Sequence, residues 1–388
     1  MYGKRVWPHE QTRIYPVIEV MDLYYGYKYG WLTKLLEVSE CVVLRPEARI
    51  GTAFIRGYSL KEYLSEMYNI PVDILSRLKI MLDHGIFISD EDFRRLFGVK
   101  KSPETLVKIY NTLQVDYGFA YDVPAKLQIE MAVNLALSKL AQSASDSKHL
   151  MKYVHPHVRP YVKELMAYLL RGLGSPTKEM QNIEPNKVRT LKSKMYRMLR
   201  RAYSNLPELR DLIYFISETS TMMTIRNLKQ QLQFKERNGY EFRLVPVVQG
   251  ICKEHAKACL NEILDLLMEH HEYSIENGKA NLYIALGTGG RILSHEEAQT
   301  INDLILFGHK RAAELKIRVK FHVLGWSSPK MAEKLNVRLI CSSDSLSARR
   351  RAVEGKIYVL DENGIKLVHV SKINPSTWSC SCLLYTSD

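Results

Sequence analysis

Eight short apolar runs constrain the fold of this chain more than any other feature of the sequence. They are continuous rather than alternating, which is typical of parallel strands buried on both faces. Amphipathic helical patterns follow most of them, for example over Ser102–Leu113, Lys253–His271, His295–Leu315 and Pro329–Leu335. The eight runs are Ile14–Val20, Cys41–Leu44, Leu78–Asp83, Val115–Asp122, Phe242–Gly250, Asn281–Gly287, Val319–Gly325 and Val337–Asp344.

This alternation predicts an α/β fold, a TIM (β/α)8 barrel, with a doubly wound open sheet as the alternative. The helical stretch Ala125–Arg237 is much longer than one crossover requires, so it predicts a helical insertion after the fourth strand. The segment Lys356–Val370 predicts a C-terminal β-hairpin turning at Glu362-Asn363-Gly364. The expected divisions are 1–124 and 239–355 for the two halves of the barrel, 125–238 for the insertion with its crossover helix, and 356–381 for the hairpin and the start of a further subdomain.

Positive charge is concentrated in one part of the chain. The formal net charge is +13, and the segment Leu150–Asn238 holds 17 Lys and Arg against 7 Asp and Glu, or +10. A localised positive field attracts polyanions, so we expect contact with a nucleic acid. The alternative is a solvated basic helix face, since the apolar residues of this segment recur at helical spacing. Those residues are Val188, Leu191, Met195, Met198 and Leu199.

Three further features of the sequence bear on the cellular compartment. There is no run of about 18 apolar residues, so no membrane span and no membrane partner are expected. The first residues, MYGKRVWPHEQTR, lack the apolar core of a signal peptide. Six cysteines without paired spacing in the body of the chain favour a reducing cytoplasm.

Polar residues stand where the predicted strands end, and in a TIM barrel those ends form the active site. They include Asp83, Asp122, Gln249-Gly250, Gly287 and Asp344. On its own segment, Asp344 could instead cap the helix expected from about Leu346. Capping accounts for one such residue at a time, however, and not for acids on the third, fourth and eighth strands together. No His or Cys is counted among these positions, which argues against a metal in the mouth of the barrel.

Paired carboxylates in a cleft suit chemistry at an anomeric carbon, where one attacks C1′ and another manages protons. The glycines at strand ends, Gly250 and Gly287 among them, allow a planar ring to approach the backbone. An amide such as that of Gln249 can pair with the edge of a base. With a basic insertion nearby, the sugar could belong to a nucleic acid.

Six motifs of the chain resemble those of a known family. In order along the chain, the motifs are LKIMLDHGIF, VDYGFAYDVP, RLVPVVQG, LYIALGTGG, FHVLGWSSPKMAEKL and LICSSDSLSARR. Together they resemble the tRNA-guanine transglycosylase superfamily, and their wording is closest to its branch of 7-deazaguanine DNA transglycosylases. The resemblance covers roughly Leu78 to Arg350 and is interrupted by the helical insertion.

The resemblance implies a role for each matching residue. Asp344 matches the nucleophile that attacks C1′ of the target guanosine, and Asp83 matches the general acid/base that deprotonates the incoming deazaguanine. Asp122 matches the carboxylate that accepts hydrogen bonds from guanine N1 and N2. Gln249 matches the amide that helps to recognise the base, and Gly287 matches the backbone contact to its carbonyl oxygen.

Two departures from the family pattern bear on the substrate. Asp83 is followed by His84-Gly85-Ile86-Phe87-Ile88, where the tRNA enzymes carry Ser-Gly-Gly-Phe-Gln, and Asp122 is followed by Val123-Pro124 in place of Glu-Cys. Both changes favour DNA over tRNA. Phe87 either stacks on the base or packs in the core. Arg350, or its neighbour Arg349, either binds a phosphate near the reacting sugar or lies on a solvated helix face.

The end of the chain predicts a zinc subdomain that is incomplete. Cys380-Ser-Cys382 stands where the family carries Cys-x-Cys-x-x-Cys, so Cys380 is a candidate zinc ligand, and structural zinc is expected in the complete protein. Residues 382–388, CLLYTSD, resemble a read-through of a sequencing adaptor and are expected not to be biological.

The resemblance, together with the carboxylates at the strand ends, therefore implies a transglycosylase that exchanges guanine in DNA for a 7-deazaguanine base through a covalent aspartyl-glycosyl intermediate. A tRNA-guanine transglycosylase is the first rival interpretation. A nucleic-acid-binding barrel without catalysis is the second, and a hydrolase of N-glycosides is the third. The carboxylates at 83, 122 and 344 argue against the binding protein, since a pure binder gains nothing from acids that face phosphates.

Overall fold

The computed structural model is a mixed α/β protein in which a parallel sheet is combined with many helices. The residues it describes are 13–30, 32–33, 36, 41–85, 88–140, 144–173, 185–276, 279–287, 297–324, 334–345, 356–361, 364–369 and 371.

Each of the eight predicted apolar runs overlaps a strand. The fifth run is split in two at Pro246, which has no N–H to give to a sheet. The strands are β1 (Arg13–Ile18), β2 (Cys41–Leu44), β3 (Lys79–Leu82), β4 (Tyr117–Phe119), β5 (Arg243–Val245), β6 (Val247–Val248), β7 (Ser274–Glu276), β8 (Lys279–Leu286), β9 (Arg318–Val323), β10 (Ile340–Ser345), β11 (Lys356–Asp361) and β12 (Gly364–His369).

The main sheet follows the order β5-β4-β3-β2-β1-β10-β9-β8-β6, and all pairings along this path are parallel. Its two ends, β5 and β6, are adjacent along the chain, because Pro246 alone separates them. The amide of Ala120 donates to Val245 O at 2.9 Å, and the amide of Ala285 donates to Pro246 O at 2.8 Å. The segment 243–248 is therefore hydrogen-bonded to β4 on one side and to β8 on the other.

The strands are buried on both faces, as their continuous apolar runs predict. In β2, Val42 and Leu44 join the large core between the sheet and its helices, whereas Cys41 and Val43 join a smaller cluster on the opposite face. All four of these side chains are buried. The smaller cluster draws one or two residues from several strands, as expected for side chains that alternate along each strand.

Helices follow most strands of the sheet. Serine N-caps begin three of them, since the hydroxyls of Ser59, Ser89 and Ser102 each accept the amide three residues on. The helices are Val20–Lys28, Ala48–Ile55, Leu60–Tyr68, Val72–Arg77, Asp90–Phe97, Pro103–Thr112, Ala125–Leu140, Ala144–Leu150, Arg159–Leu173, Pro185–Asn205, Pro207–Arg237, Lys253–Glu269 and Glu297–Glu314.

The stretch between β4 and β5 is helical, as predicted, and has a core of its own. Buried side chains from its helices pack together there, and Met195 and Leu199 of the basic helix are fully buried among them. Val123 and Ile251, which follow β4 and β6, also belong to this core. The helical unit is therefore packed directly onto the carboxyl end of the sheet.

Two smaller features complete the fold. Strands β11 and β12 pair in antiparallel fashion, in agreement with the predicted hairpin. The short strand β7 was not predicted, and it pairs antiparallel with the start of β8. In the part of the chain that the structure describes, no helix combines the length and apolar character needed to cross a bilayer.

Candidate active site at the carboxyl ends of the strands

Asp122 is the centre of a buried polar cluster at the carboxyl ends of β3, β4 and β6. Its side chain is 5% exposed. One carboxylate oxygen, Oδ2, accepts a hydrogen bond from Nε2 of Gln249, which lies 127 residues later in the chain. The other, Oδ1, is 2.6 Å from Nε2 of His84. Two residues predicted to recognise a base, Asp122 and Gln249, are therefore in direct contact.

His84 belongs to this cluster, although the predicted strand-end positions did not include it. It follows Asp83 directly after β3, and its side chain is 4% exposed. Its ring lies 5.8 Å from that of Tyr121. Nδ1 of His84 has no hydrogen-bond partner among the described residues. Oδ1 of Asp122 likewise has no hydrogen-bond partner among the described residues, so both atoms are left to bind a ligand.

Asp83 is half-buried and begins a tight turn. Its amide donates to Leu44 O at 2.9 Å, which fixes its backbone against β2. Its Oδ1 accepts the amide of Gly85 at 3.1 Å. Gly85 has φ +69°, a conformation that favours glycine, and a Cβ there would also lie 3.0 Å from Ile88. The carboxylate of Asp83 is thus held by the backbone of its own turn.

Lys101 lies behind this turn, and the sequence analysis did not identify it. The residue is 7% exposed, and its Nζ donates to Gly85 O at 2.7 Å. Burial lowers the pKa of Lys101 to about 8, against the opposing attraction of Asp83, Asp90 and Asp122. Burial, together with the charges of Asp90 and Asp122, raises the pKa of the neighbouring Tyr121 to about 12. The polar cluster therefore combines several carboxylates with the ammonium group of Lys101, which is largely shielded from water.

The long helix Pro207–Arg237 positions two of the turns that carry the cluster. Gln231 Oε1 accepts the amide of Tyr121 at 2.8 Å, and Thr224 Oγ1 accepts the amide of Val123 at 2.9 Å. Asp122 is therefore held on both sides by this helix. Ser217 Oγ accepts the amide of Ile251 at 3.0 Å, which anchors the turn after Gln249-Gly250. The spacing of seven residues places these three side chains on one face of the helix.

The two predicted glycines are required by close packing. Gly250 has φ +148°, and a Cβ there would lie 2.5 Å from the amide nitrogen of Ala256 at the start of the following helix. A Cβ on Gly287 would lie 3.0 Å from Nε2 of Gln249. Gly287 therefore leaves room for the amide that contacts Asp122, and it joins the same cluster.

Asp344 lies in β10, one residue before that strand ends, and its Cα pairs with that of Tyr15 in β1. Two residues earlier, the hydroxyl of Ser342 is bonded to Nδ1 of His322 at 2.8 Å and to the hydroxyl of Tyr283. These three side chains form a second buried polar group between β8, β9 and β10. For Asp344 the structure describes the backbone position in the sheet, and its side chain lies outside what is described.

Three predicted site residues lie outside the described part of the chain, namely Phe87, Arg350 and Cys380. Within the described part, no three His, Cys, Asp or Glu side chains are grouped as metal ligands would be. The expected zinc ligand, Cys380, is therefore not tested by this observation.

A shallow cavity of about 280 Å³ lies at the other end of the sheet. Its lining includes Asn281, Arg318 and Lys320 from the amino ends of β8 and β9. It is therefore separate from the polar cluster around Asp122.

The cluster has the chemistry needed to bind a planar polar heterocycle. A carboxylate, an amide and an imidazole offer acceptors and donors within a buried space, and Asp83 adds a second carboxylate at its edge. Buried acids and a lysine with an altered pKa are more frequent in functional sites than elsewhere. Searches for similar proteins gave no support for any family, since no family model and no curated protein matches the chain.

Proposed function

We propose that the chain is a transglycosylase that exchanges guanine in DNA for a 7-deazaguanine base. The observation that carries this proposal is the contact between Asp122 and Gln249, with Gly287 beside them, although the three residues follow different strands. The resemblance to the tRNA-guanine transglycosylase superfamily implies base recognition at these same three positions. A chance resemblance of motifs would not require them to meet.

A closed TIM barrel is part of the proposal. The parallel strand path supports it, because the path ends at β5 and β6, which Pro246 alone separates. Hydrogen bonds join this segment to β4 and to β8, as closure of a barrel requires. In such a barrel the carboxyl ends of all strands surround one mouth, where active sites of this fold are found. Asp83, Asp122, Gln249 and Asp344 would then share that mouth.

The proposed reaction proceeds through a covalent intermediate. Asp344 attacks C1′ of the target nucleoside, the C1′–N9 bond breaks, and its electron pair leaves with guanine, which takes a proton from solvent. Asp83 removes the proton from N9 of the incoming 7-deazaguanine, and N9 then attacks C1′ and releases the carboxylate of Asp344. No step involves zinc, for which Cys380 remains a proposed structural ligand.

Asp122 is well suited to recognise the base. Guanine and 7-deazaguanine present two adjacent donors, N1–H and the 2-amino group, to which a carboxylate is a good acceptor. Each carboxylate oxygen has two lone-pair sites, so contacts with His84 and Gln249 leave acceptor capacity for the base. Because Asp122 is buried, these hydrogen bonds form where water competes little.

The helix Pro185–Asn205 is the proposed contact for the polynucleotide. It carries seven Lys and Arg and no acidic residue, and Lys194 and Arg197 are exposed on the face opposite the buried Met195 and Leu199. Binding should therefore weaken strongly as salt increases. The target guanosine must leave its base stack to reach a buried cluster, so unpaired or flipped nucleotides are the expected substrates. The changes after Asp83 and Asp122 favour DNA over tRNA.

A trapping experiment tests the proposed function. The protein is incubated with guanine-containing single-stranded DNA or with tRNA, denatured, and analysed by gel and mass spectrometry for a covalent protein–nucleic acid adduct. We expect an adduct with DNA that is absent in Asp344→Asn, because an amide is a poor nucleophile. Base exchange in that variant should fall by roughly a thousandfold or more.

Three further results would each change the assignment. An adduct with tRNA alone would retain the chemistry and move the enzyme to the tRNA branch of the superfamily. An adduct that persists in Asp344→Asn would overturn the assignment of the nucleophile. Binding of DNA without any adduct or exchange would favour the non-catalytic barrel.

A further inference from the structure

Lys101 is a buried cation that has no role in the proposed reaction. Its ammonium group donates to Gly85 O and lies 5.3 Å from the ring centroid of Tyr121 and 5.7 Å from that of Phe93. Among the described residues, no carboxylate is within ion-pair distance of Nζ. An ammonium group buried without a paired carboxylate costs free energy. Such a cost is usually retained where the charge has a function.

The hydrogen bonds around Gly85 connect Lys101 to Asp83. Nζ of Lys101 holds the carbonyl of Gly85, and the amide of Gly85 holds Oδ1 of Asp83. Lys101 therefore acts on Asp83 through the backbone of a single residue, in addition to its charge.

The charged groups that face Lys101 come from three elements. Asp83 lies on the turn after β3, Asp90 is at the start of the next helix, and Asp122 lies on the turn after β4. Each of these carboxylates favours the ammonium form of Lys101 and so opposes the effect of burial on it.

We propose that Lys101 is a positioning residue of the base-exchange reaction, which fixes the turn that holds the carboxylate of Asp83. The inference rests on the proposed function. It adds to that function a residue beyond the carboxylates and the amide of the site. It also explains why a lysine is buried at this end of the sheet without a carboxylate in contact.

Two variants of Lys101 and one control test this inference. Lys101→Met removes the charge and keeps the length, Lys101→Arg keeps the charge, and Lys235→Met removes a second lysine that is also 7% exposed but is paired with Glu272. The constants kcat and KM of base exchange are measured for each folded variant. We expect Lys101→Met to reduce kcat by roughly 10- to 100-fold, since misplacing a catalytic group costs about that much.

The division of the loss between kcat and KM separates positioning from a purely structural role. In Lys101→Met the loss should fall on kcat and leave KM for the incoming base unchanged, because the contact of Asp122 with Gln249 is kept. Lys101→Arg should restore part of kcat, and Lys235→Met should leave both constants of the folded protein unchanged. An unchanged kcat in Lys101→Met would overturn the inference.

A measurement without catalysis distinguishes failure of this inference from failure of the proposed function. The side-chain ε-CH₂ signal of Lys101, assigned by its loss in Lys101→Arg, is followed by NMR as the pH is raised. Asp83→Asn should lower the titration midpoint of Lys101, because it removes an anion that favours the ammonium form. If the midpoint moves and no base exchange occurs, the link between Lys101 and Asp83 is confirmed and the proposed function fails. If base exchange occurs and the midpoint does not move, the inference fails.

Discussion

Lys101 and Lys235 have the same exposure, 7%, and lie at opposite ends of the sheet. They differ in the groups that contact their ammonium nitrogens. Near the amino end of β5, Nζ of Lys235 is 2.6 Å from a carboxylate oxygen of Glu272, whose second oxygen accepts the amide of Leu244 at 2.7 Å. At the carboxyl end of β3, Lys101 has a backbone carbonyl and two aromatic rings as its contacts.

The difference indicates which lysine serves the fold. A buried ion pair with every oxygen bonded offsets its own desolvation locally, so Lys235 and Glu272 can hold a helix against the sheet. The charge of Lys101 is offset only by carboxylates at longer range. A buried charge that has no partner beside it is found more often in functional sites than elsewhere. Substitutions at both lysines test this contrast.

The largest effect on stability is expected for Lys235→Met. The substitution leaves Glu272 as a buried carboxylate without its cation, which should destabilise the fold by roughly 3–5 kcal/mol. Urea denaturation followed by circular dichroism would measure this loss. The double variant Lys235→Met with Glu272→Gln keeps an acceptor for the amide of Leu244 and should recover most of it. A loss below about 1 kcal/mol in the single variant would show that the pair contributes little.

Lys101→Met should have the opposite effect on stability. The lowering of its pKa from 10.5 to about 8 corresponds to about 3 kcal/mol by which burial disfavours the charged form at neutral pH. The variant removes this penalty, and Gly85 O keeps a partner because the amide of Ile88 also donates to it at 2.9 Å. We therefore expect a fold more stable by up to about 3 kcal/mol at pH 7, together with lower activity.

The pH dependence of this effect has a definite sign. Because the pKa of Lys101 is lower in the folded state, the unfolded chain binds more protons between about pH 8 and 10.5. Wild-type stability attributable to this group should then rise with pH across that window, and Lys101→Met should lack the rise. Denaturant midpoints measured from pH 7 to pH 10 for both proteins would test it. A variant less stable than the wild type at pH 7 would show that Lys101 is a structural residue like Lys235.

The strands and most helices could be predicted from the sequence, because burial on both faces leaves a continuous apolar run in each strand. The exceptions have local causes. The split between β5 and β6 arises because Pro246 cannot donate within a sheet. The strand β7 is only three residues long and contains Ser274 and Glu276, so it has no apolar pattern.

Asp122 and Gln249 each follow a strand that the sequence predicts, and the structure places their side chains in contact. Lys101 was not identified, because it follows the exposed Lys100 and precedes the N-cap Ser102. Adjacent lysines before a helix normally indicate solvent, and nothing local distinguishes the buried one. His84 was missed because it stands one residue beyond Asp83, and only long-range packing brings its ring to Asp122.

One missed feature had a signal in the sequence. Polar residues recur at spacings of three and four along the helix Pro207–Arg237, which is the spacing that defines one helix face. A period of this kind in polar residues normally indicates a solvated face, whereas here it marks a buried one. Its members are Ser217, Ser220, Thr224, Asn227 and Gln231.

The smallest effect tests whether that polar face positions the site. Thr224→Val removes the acceptor of the Val123 amide, which is buried beside Asp122, and should cost about 1–3 kcal/mol. Thr221→Val is the matched control, because the hydroxyl of Thr221 is buried on the same helix and has no hydrogen-bond partner among the described residues. That variant should lose no stability and should gain up to about 1–3 kcal/mol, since it removes a buried hydroxyl that has no hydrogen-bond partner.

Stability and activity together decide the role of Thr224. If the helix positions Asp122, Thr224→Val should reduce base exchange in the folded protein several-fold, whereas Thr221→Val should leave it unchanged. Equal denaturation midpoints for the two variants would contradict the prediction. A loss of stability without a loss of exchange would mean that the hydroxyl holds the fold, as Lys235 does, and that Asp122 is positioned by His84 and Gln249 alone.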